Sequence, residues 1–146
     1  MALGVELVFQ VCHCNHLCPV CCLKSHQCAG YRVGRLRLIF KLPSSACQAH
    51  LPGVIPPGHL AYVEWFTAFT QPDRVHQMYK VSRCRNNQRD LLADIIEVRH
   101  IRRSCHLLPV CNGNVPRNHT SSTSLDSCED FWVNPFSDAH MYMTLI

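Results

Sequence analysis

The residues best suited to carry chemistry are cysteines and histidines near the start of the chain. Of the 11 cysteines, six lie between Cys12 and Cys28. Cys18-Pro-Val-Cys21 has the two-residue gap with which a pair of thiolates can hold one tetrahedral zinc ion. The candidate ligands of such a structural zinc site are Cys14, Cys18, Cys21 and Cys28, although the favoured expectation is a chain without a cofactor.

The second half of this zinc site is not fixed by the spacing. Its candidate ligands are Cys12, Cys14, His16, His26 and Cys28. None of them completes an established zinc-finger spacing. The alternative is that residues 1–30 form a poorly ordered or loosely helical leader whose cysteines have no specific role. An odd cysteine count without a basic secretory leader predicts a reducing, intracellular compartment.

Basic residues form the second group of candidates. The chain carries 14 Lys and Arg against 10 Asp and Glu, with a basic middle from Arg74 to Arg103 and an acidic stretch after Ser104. Arginines beside aromatic residues hold phosphates and stack on bases. The sequence therefore predicts nucleic acid or protein as partner, and the candidate nucleic-acid contacts are Arg35, Arg37, Lys41, Arg83, Arg85, Arg89, Arg102 and Arg103. The alternative is that these side chains solvate the surface and pair with the acidic stretch.

Catalytic residues are harder to place. The acid and histidine clusters are Asp73–His76, Asp90–Asp94 and Asp138–His140, and each lies beside a predicted turn without a metal-site signature. Cys105 and His106 are adjacent, so in a strand they point to opposite faces. We therefore expect no enzyme and no small-molecule substrate, with a nuclease or hydrolase remnant as the unfavoured alternative.

The elements that position these residues are mainly strands. Val33–Leu42 alternates with period two, which predicts one buried face and one wet basic face. The predicted buried residues are Leu36, Leu38, Phe40 and Leu42. The predicted exposed residues are Arg35, Arg37 and Lys41. Pro and Gly predict a loop over Ser44–Gly58.

Three more strands are predicted from aromatic and β-branched runs: Leu60–Thr70, Met78–Arg83 and Leu91–Val98. Over Ile101–Leu108 a short turn is predicted, followed by a last strand that ends at Pro109. Five strands with short connections predict a mainly β fold, a small antiparallel barrel or roll of the SH3-like or OB-like kind. The expected organisation is a leader over residues 1–30 and a single domain over residues 31–146. Cys84 and Cys105 are expected to be small apolar fillers of its core.

The end of the chain is predicted to close this domain. Leu125–Phe131 predicts a short helix capped by Ser122 or Ser124. The aromatic segment Phe131–Phe136 is expected to dock on the barrel, because exposed aromatic rings are costly. His140–Ile146 is expected to add an edge strand. No stretch approaches the length of about 18 apolar residues of a membrane span, so no membrane partner is expected.

Several phrases of this sequence also occur together in one known family. They are His59–Thr67, Met78–Arg83, Ile95–Val98 with Ile101–Pro109, and Phe131–Asp138. In this order they resemble the carboxy-terminal domain of unknown function of fungal transposon-encoded proteins of the Plavaka and KDZ-associated kind, over about residues 33–146. The resemblance implies a transposon-derived tail without the transposase core, a non-catalytic accessory role and a nuclear location. It implies no catalytic residues.

Overall fold

The described part of the chain folds into two antiparallel sheets and two short helices. The computed structural model describes residues 8–12, 31–53, 58–111, 120 and 123–137. The strands are β1 Val8–Cys12, β2 Tyr31–Phe40, β3 Leu60–Trp65, β4 Tyr79–Ser82, β5 Ala93–Glu97, β6 Ile101–Ser104, β7 Leu107–Pro109 and β8 Asp130–Val133. The helices are α1 Ser44–His50 and α2 Ser124–Ser127, with 3₁₀ turns at Val98–His100 and Pro135–Ser137. The predicted mainly β class is confirmed.

The strands divide into a large and a small sheet. The five-stranded sheet has the order β5-β3-β2-β1-β6, and the three-stranded sheet has the order β4-β8-β7. The two sheets do not close into a barrel, which corrects the predicted barrel of about five strands. The physical reason is that β4, β7 and β8 pair with one another instead of extending the larger sheet.

The five-stranded sheet is strongly curled. β5 and β6 occupy its opposite edges, yet only the 3₁₀ turn Val98–His100 separates them in the chain. In a flat sheet four strand spacings would place the edges about 19 Å apart. The backbone from Glu97 to Ile101 can span at most about 14 Å. The edges must therefore approach each other here, and a register shift in β2 between Leu36 and Leu38 marks an irregularity that can help the sheet bend.

The concave face of the curled sheet encloses one core. Val11, Ala61, Val63 and Trp65 are buried there. Gly34 lies opposite Trp65 in the register. A Cβ atom at Gly34 would overlap Cγ1 of Val63 and approach the Trp65 ring to 3.3 Å, so glycine leaves the room that the tryptophan fills.

The convex face packs against the three-stranded sheet and forms a second core. Its buried members are Val8, Val33, Phe66, Tyr79, Val81, Leu125, Phe131 and Val133. The predicted docking of the aromatic segment is confirmed for Phe131, which is fully buried and meets Phe66 edge to face, with ring centroids 5.6 Å apart. It is wrong for Phe136, which is 58% exposed. Cys105 packs against this core and Cys84 against the first one, as expected for apolar fillers.

The predicted faces of the strand over residues 33–42 are wrong at Arg35 and Leu38, whereas Arg37 and Lys41 are exposed and Leu36 packs against the first core, as predicted. Arg35 was expected in water but is only 3% exposed, whereas Leu38 was expected in the core and is 57% exposed. One reason is that the second sheet covers the convex face around Val33. The other is that the register shift breaks the alternation between Leu36 and Leu38.

The start of the chain also differs from the expectation. Val8–Cys12 was placed in a leader over residues 1–30, but it forms β1 between β2 and β6, with Val11 buried. The short apolar run Val-Phe-Gln-Val-Cys allows this, because Val8 packs in the core on one face of β1 and Val11 in the core on the other. The rest of the predicted leader lies outside the described residues.

Two further local predictions change. Ser44–His50 is helical instead of loop, because the breakers that predicted the loop begin only at Pro52. The predicted helix over Leu125–Phe131 is the single turn α2, followed by β8, because Phe131 is drawn into strand pairing with β4 and β7. The predicted edge strand His140–Ile146 lies outside the described residues. Among the described helices, none has the length and apolar character needed to cross a membrane.

Candidate interaction surfaces

The eight predicted nucleic-acid contacts do not form one surface. Arg35 and Arg37 lie on β2, Lys41 follows its end, and Arg102 and Arg103 lie on β6. The remaining three flank or occupy the loop between β4 and β5: Arg83, Arg85 and Arg89. Lys41 follows Phe40, which pairs with Leu60 at the start of β3. The loop between β4 and β5 lies at the other end of β3, where the backbone N–H of Trp65 donates to the carbonyl oxygen of Leu92. The set is therefore spread over opposite ends of the sheet.

Arg35 is the buried member of a charge cluster. Its Nη1 and Nη2 donate hydrogen bonds to Oδ1 and Oδ2 of Asp126 at 2.6 and 3.1 Å. Glu64 lies 3.9 Å away on the neighbouring strand. The hydrogen bond from Arg35 is the main reason that the pKa of Asp126 lies below its usual value, and the charges of Arg35, Arg83 and Arg37 add to it. Arg35 thus joins the large sheet to α2.

Arg83 approaches the same carboxylate. Its side chain is 9% exposed, and Nη2 lies 3.7 Å from Oδ1 of Asp126 without a hydrogen bond. Its Nε donates to the carbonyl oxygen of Cys128 at 3.2 Å. Arg83 therefore anchors the backbone between α2 and β8.

Two more basic residues of the middle of the chain pair with acids from its later part. Arg85 donates to Glu129 at 2.6 Å, and this hydrogen bond raises the pKa of Arg85. Lys80 contacts Asp130 at 2.6 Å, and Ser82 Oγ also donates to Asp130. The hydrogen bond from Lys80, followed by that from Ser82, lowers the pKa of Asp130. These contacts agree with the alternative expectation, in which the basic middle of the chain pairs with the acidic stretch after Ser104.

Three of the eight predicted basic residues are exposed and have no ion pair among the described residues: Lys41, Arg89 and Arg102. Arg37 is half-exposed and lies 3.4 Å from Glu64. Arg103 is half-buried, and its Nη1 has no hydrogen-bond partner. The exposed positive charge is consequently sparse.

The predicted zinc ligands Cys14, Cys18, Cys21 and Cys28 lie outside the described residues. Within the described part of the chain, no group of three His, Cys, Asp or Glu side chains could hold a metal ion. Asp73 and His76 have a structural role: Asp73 Oδ1 accepts hydrogen bonds from the backbone N–H groups of Val75 and His76, and lies 2.8 Å from His76 Nδ1. These contacts close the turn before β4.

Cys105 is a poor nucleophile in this fold. Burial raises the pKa of its thiol to about 12. At neutral pH the thiolate, which is the reactive form, is therefore very scarce.

An exposed apolar row crosses the convex face where the small sheet does not cover it. Leu38 pairs with Tyr62, and Tyr62 pairs with Ile95. Their side chains are 57%, 40% and 60% exposed. Because residues directly opposite each other share a face, the three side chains form one continuous row that ends at β5.

The outer edge of β5 is open. β5 pairs only with β3 among the described strands. Trp65 N donates to Leu92 O and Val98 N donates to His59 O, so residues 92 and 98 direct backbone groups toward β3. Since this direction alternates along a strand, Ala93, Ile95 and Glu97 direct their N–H and C=O groups outward. In the described part of the chain these groups have no ladder partner.

The opposite edge of the large sheet is different. β6 has a register shift against β1 and carries Arg102 and Arg103. Irregular pairing and basic side chains are common protections of an edge strand. In contrast to β6, β5 has neither a register shift nor a basic side chain.

Sequence reasoning did not single out the exposed row or the open edge. The available signal was the Ile95-Ile96 pair between two acids, which reads equally well as the centre of a buried strand. No known protein family, curated protein or solved structure matches this chain. The exposed row and the open edge of β5 are therefore the features that indicate what this protein can bind.

Proposed function

We propose that this protein is a non-catalytic interaction module that binds an extended segment of another protein along the outer edge of β5. The carrying observation is that the exposed row Leu38–Tyr62–Ile95 ends at this open edge. An added strand would hydrogen-bond to Ala93, Ile95 and Glu97 and place an apolar side chain beside Ile95. Strand addition of this kind combines main-chain hydrogen bonds with side-chain selection.

The expected affinity is modest. Covering the exposed half of Ile95, the residue of the row beside the added strand, is worth about 1 kcal/mol, given 1.5–3 kcal/mol for complete burial. Association and ordering of a flexible peptide oppose this gain by several kcal/mol. We therefore expect weak binding of a short peptide, which suits an accessory role such as the resemblance to transposon-encoded proteins implies.

Nucleic-acid binding is the less supported role. Arg35, Arg37, Arg83 and Arg85 are engaged by carboxylates, so each would have to leave a partner before it could bind a phosphate. The exposed basic residues are at opposite ends of the sheet. A binding site for a nucleic-acid backbone needs a continuous basic track.

The test is fluorescence anisotropy with a labelled peptide that has Thr-Val-Val-Thr at its centre. Ile95→Lys should weaken binding at least tenfold. Val75→Lys is the control, because Val75 is 83% exposed but lies in the turn before β4. Absence of binding, or equal binding by Ile95→Lys, would contradict the proposal.

A second titration addresses the nucleic-acid alternative. Single-stranded and duplex DNA of mixed sequence are added at low salt, where phosphate contacts are strongest. We expect weaker binding than to the peptide. Tight, steeply salt-dependent DNA binding that is lost in Lys41→Ala and Arg102→Ala would favour nucleic acid over protein.

A further inference from the structure

β5 carries a charge pattern that restricts what it can accept. Its central residues are Asp94-Ile95-Ile96-Glu97, two apolar residues between two acids. We propose that the strand accepted by β5 has the complementary pattern, basic–apolar–apolar–basic. This inference rests on the proposed function and names the chemistry of the partner.

The pattern follows from cross-strand geometry. Side chains directly opposite each other in adjacent antiparallel strands have Cβ atoms about 5 Å apart, and opposite charges at such positions stabilise the pair. On the convex face the incoming strand meets Ile95 and Glu97, and on the concave face it meets Asp94 and Ile96. Since the order acid–apolar–apolar–acid reads the same in both directions, parallel and antiparallel partners need the same pattern.

Both acids keep their charge available at the edge. Asp94 Oδ2 accepts a hydrogen bond from Trp65 Nε1 at 2.7 Å, and this neutral donor fixes the carboxylate without cancelling it. Glu97 Oε1 accepts from Arg99 at 2.8 Å, but the Arg99 side chain is 73% exposed and the pair is open to solvent. Exposed pairs of this kind are weak and exchange readily.

The same charges disfavour a second copy of this chain as the occupant. Antiparallel self-pairing centred on Ile95 would place Asp94 opposite Ile96 and Glu97 opposite Ala93 of the second copy, so no acid would face a basic residue and the two copies of Asp94 would be diagonal neighbours. Like charges on neighbouring strands repel. Acidic side chains on an otherwise open edge therefore act against self-association and for a basic partner.

The experiment compares three labelled peptides that differ only in the two flanking positions. Their centres are Lys-Val-Val-Lys, Thr-Val-Val-Thr and Glu-Val-Val-Glu. We expect the lysine peptide to bind the wild-type protein about tenfold more tightly than the threonine peptide, and the glutamate peptide to bind more weakly still. The differences should shrink at high salt, because the charges are exposed.

A charge reversal in the protein makes the test specific. Glu97→Lys should lose the preference for the lysine peptide and gain affinity for the glutamate peptide. Glu129→Lys is the matched control, because Glu129 also pairs with one exposed arginine, Arg85, but its backbone carbonyl accepts a hydrogen bond from Arg83 N–H, which follows β4. It should keep the wild-type order of the three peptides.

Each outcome has a distinct meaning. Equal binding of all three peptides that is still lost in Ile95→Lys overturns this inference and leaves the proposed function standing. Binding of none of the peptides overturns the proposed function as well. Sedimentation of the free protein as a dimer that Ile95→Lys separates identifies a second copy as the occupant, which also overturns the inference.

Discussion

Arg35 and Asp126, which are 91 residues apart in the sequence, are joined by two charge-assisted hydrogen bonds at 2.6 and 3.1 Å. The contact connects β2 to α2, whose Leu125 is part of the second core. The arginine is buried, whereas the side chain of Asp126 is 61% exposed. The pair therefore secures the late part of the chain to the large sheet at a place that water can reach from one side.

Loss of this contact should destabilise the fold. Asp126→Asn removes the charge opposite a buried guanidinium, and we expect the free energy of unfolding to fall by about 1–3 kcal/mol. Glu129→Gln is the control, since its pair with Arg85 is exposed and should be worth less than about 1 kcal/mol. Urea denaturation measures both. Equal losses for the two variants would show that burial of Arg35 is not what matters.

The same carboxylates predict a loss of stability in acid. The pKa values of Asp126 and Asp130 are lowered in the folded protein. Their contribution is complete above the unfolded-state value, about 3.9, and is lost as the pH falls through the lower folded-state values. Stability should therefore decline below about pH 4.

Unfolding midpoints measured across the acid range check this. The decline should be shallower in Asp126→Asn and Asp130→Asn than in the wild type, because each variant removes one of the linked protons. An unchanged slope in both variants would assign the acid sensitivity to other groups.

The concave core should not tolerate a side chain at residue 34. Gly34→Ala places a Cβ against Val63 and the Trp65 ring, and we expect a loss of about 1–3 kcal/mol from this overpacking. Gly58→Ala is the control, since a Cβ there meets nothing within 4 Å. Thermal or urea unfolding compares the two. If Gly34→Ala left the free energy of unfolding unchanged, Val63 and Trp65 would have to pack less closely around residue 34 than this structure shows.

Cys105 should report on the integrity of the second core. With its pKa raised to about 12, alkylation at mildly alkaline pH should be more than about a hundredfold slower than in the unfolded protein. Peptide mapping by mass spectrometry after timed exposure to iodoacetamide measures this rate. Rapid alkylation in the native state would contradict the burial of this thiol.

Part of this fold is predictable from local pattern. The alternation and aromatic content of Leu60–Thr70 predict a strand, and β3 Leu60–Trp65 lies within it. The third and fourth predicted strands likewise contain β4 and β5. In these segments propensity and tertiary pairing agree.

The faces of β2 could not be predicted in the same way. Alternation indicates which residues share a face but not which face a second sheet will cover. Here the small sheet covers the side of Val33 and Arg35. The carboxylate of Asp126, 91 residues later in the chain, compensates the charge of the buried arginine. Leu38 is then left in water, which no local pattern indicates.

The open edge was hidden for a similar reason. Strand order decides which strand is at the edge, and this order depends on the distant segments β1 and β6. Ile95 looks like a core residue in the sequence. It is the strand order among the described strands, in which β5 pairs with β3 alone, that reveals the outward-directed backbone groups of β5.

The most direct measurement is residue-resolved amide hydrogen exchange of β5, with and without the Lys-Val-Val-Lys peptide. In the free protein, the amides of Ile95 and Glu97 should exchange fast and those of Asp94 and Ile96 slowly, because only the latter face β3. Saturating peptide should slow Ile95 and Glu97 and leave the others unchanged. Fast exchange at Ile95 and Glu97 despite bound peptide, with protection elsewhere, would contradict strand addition at β5.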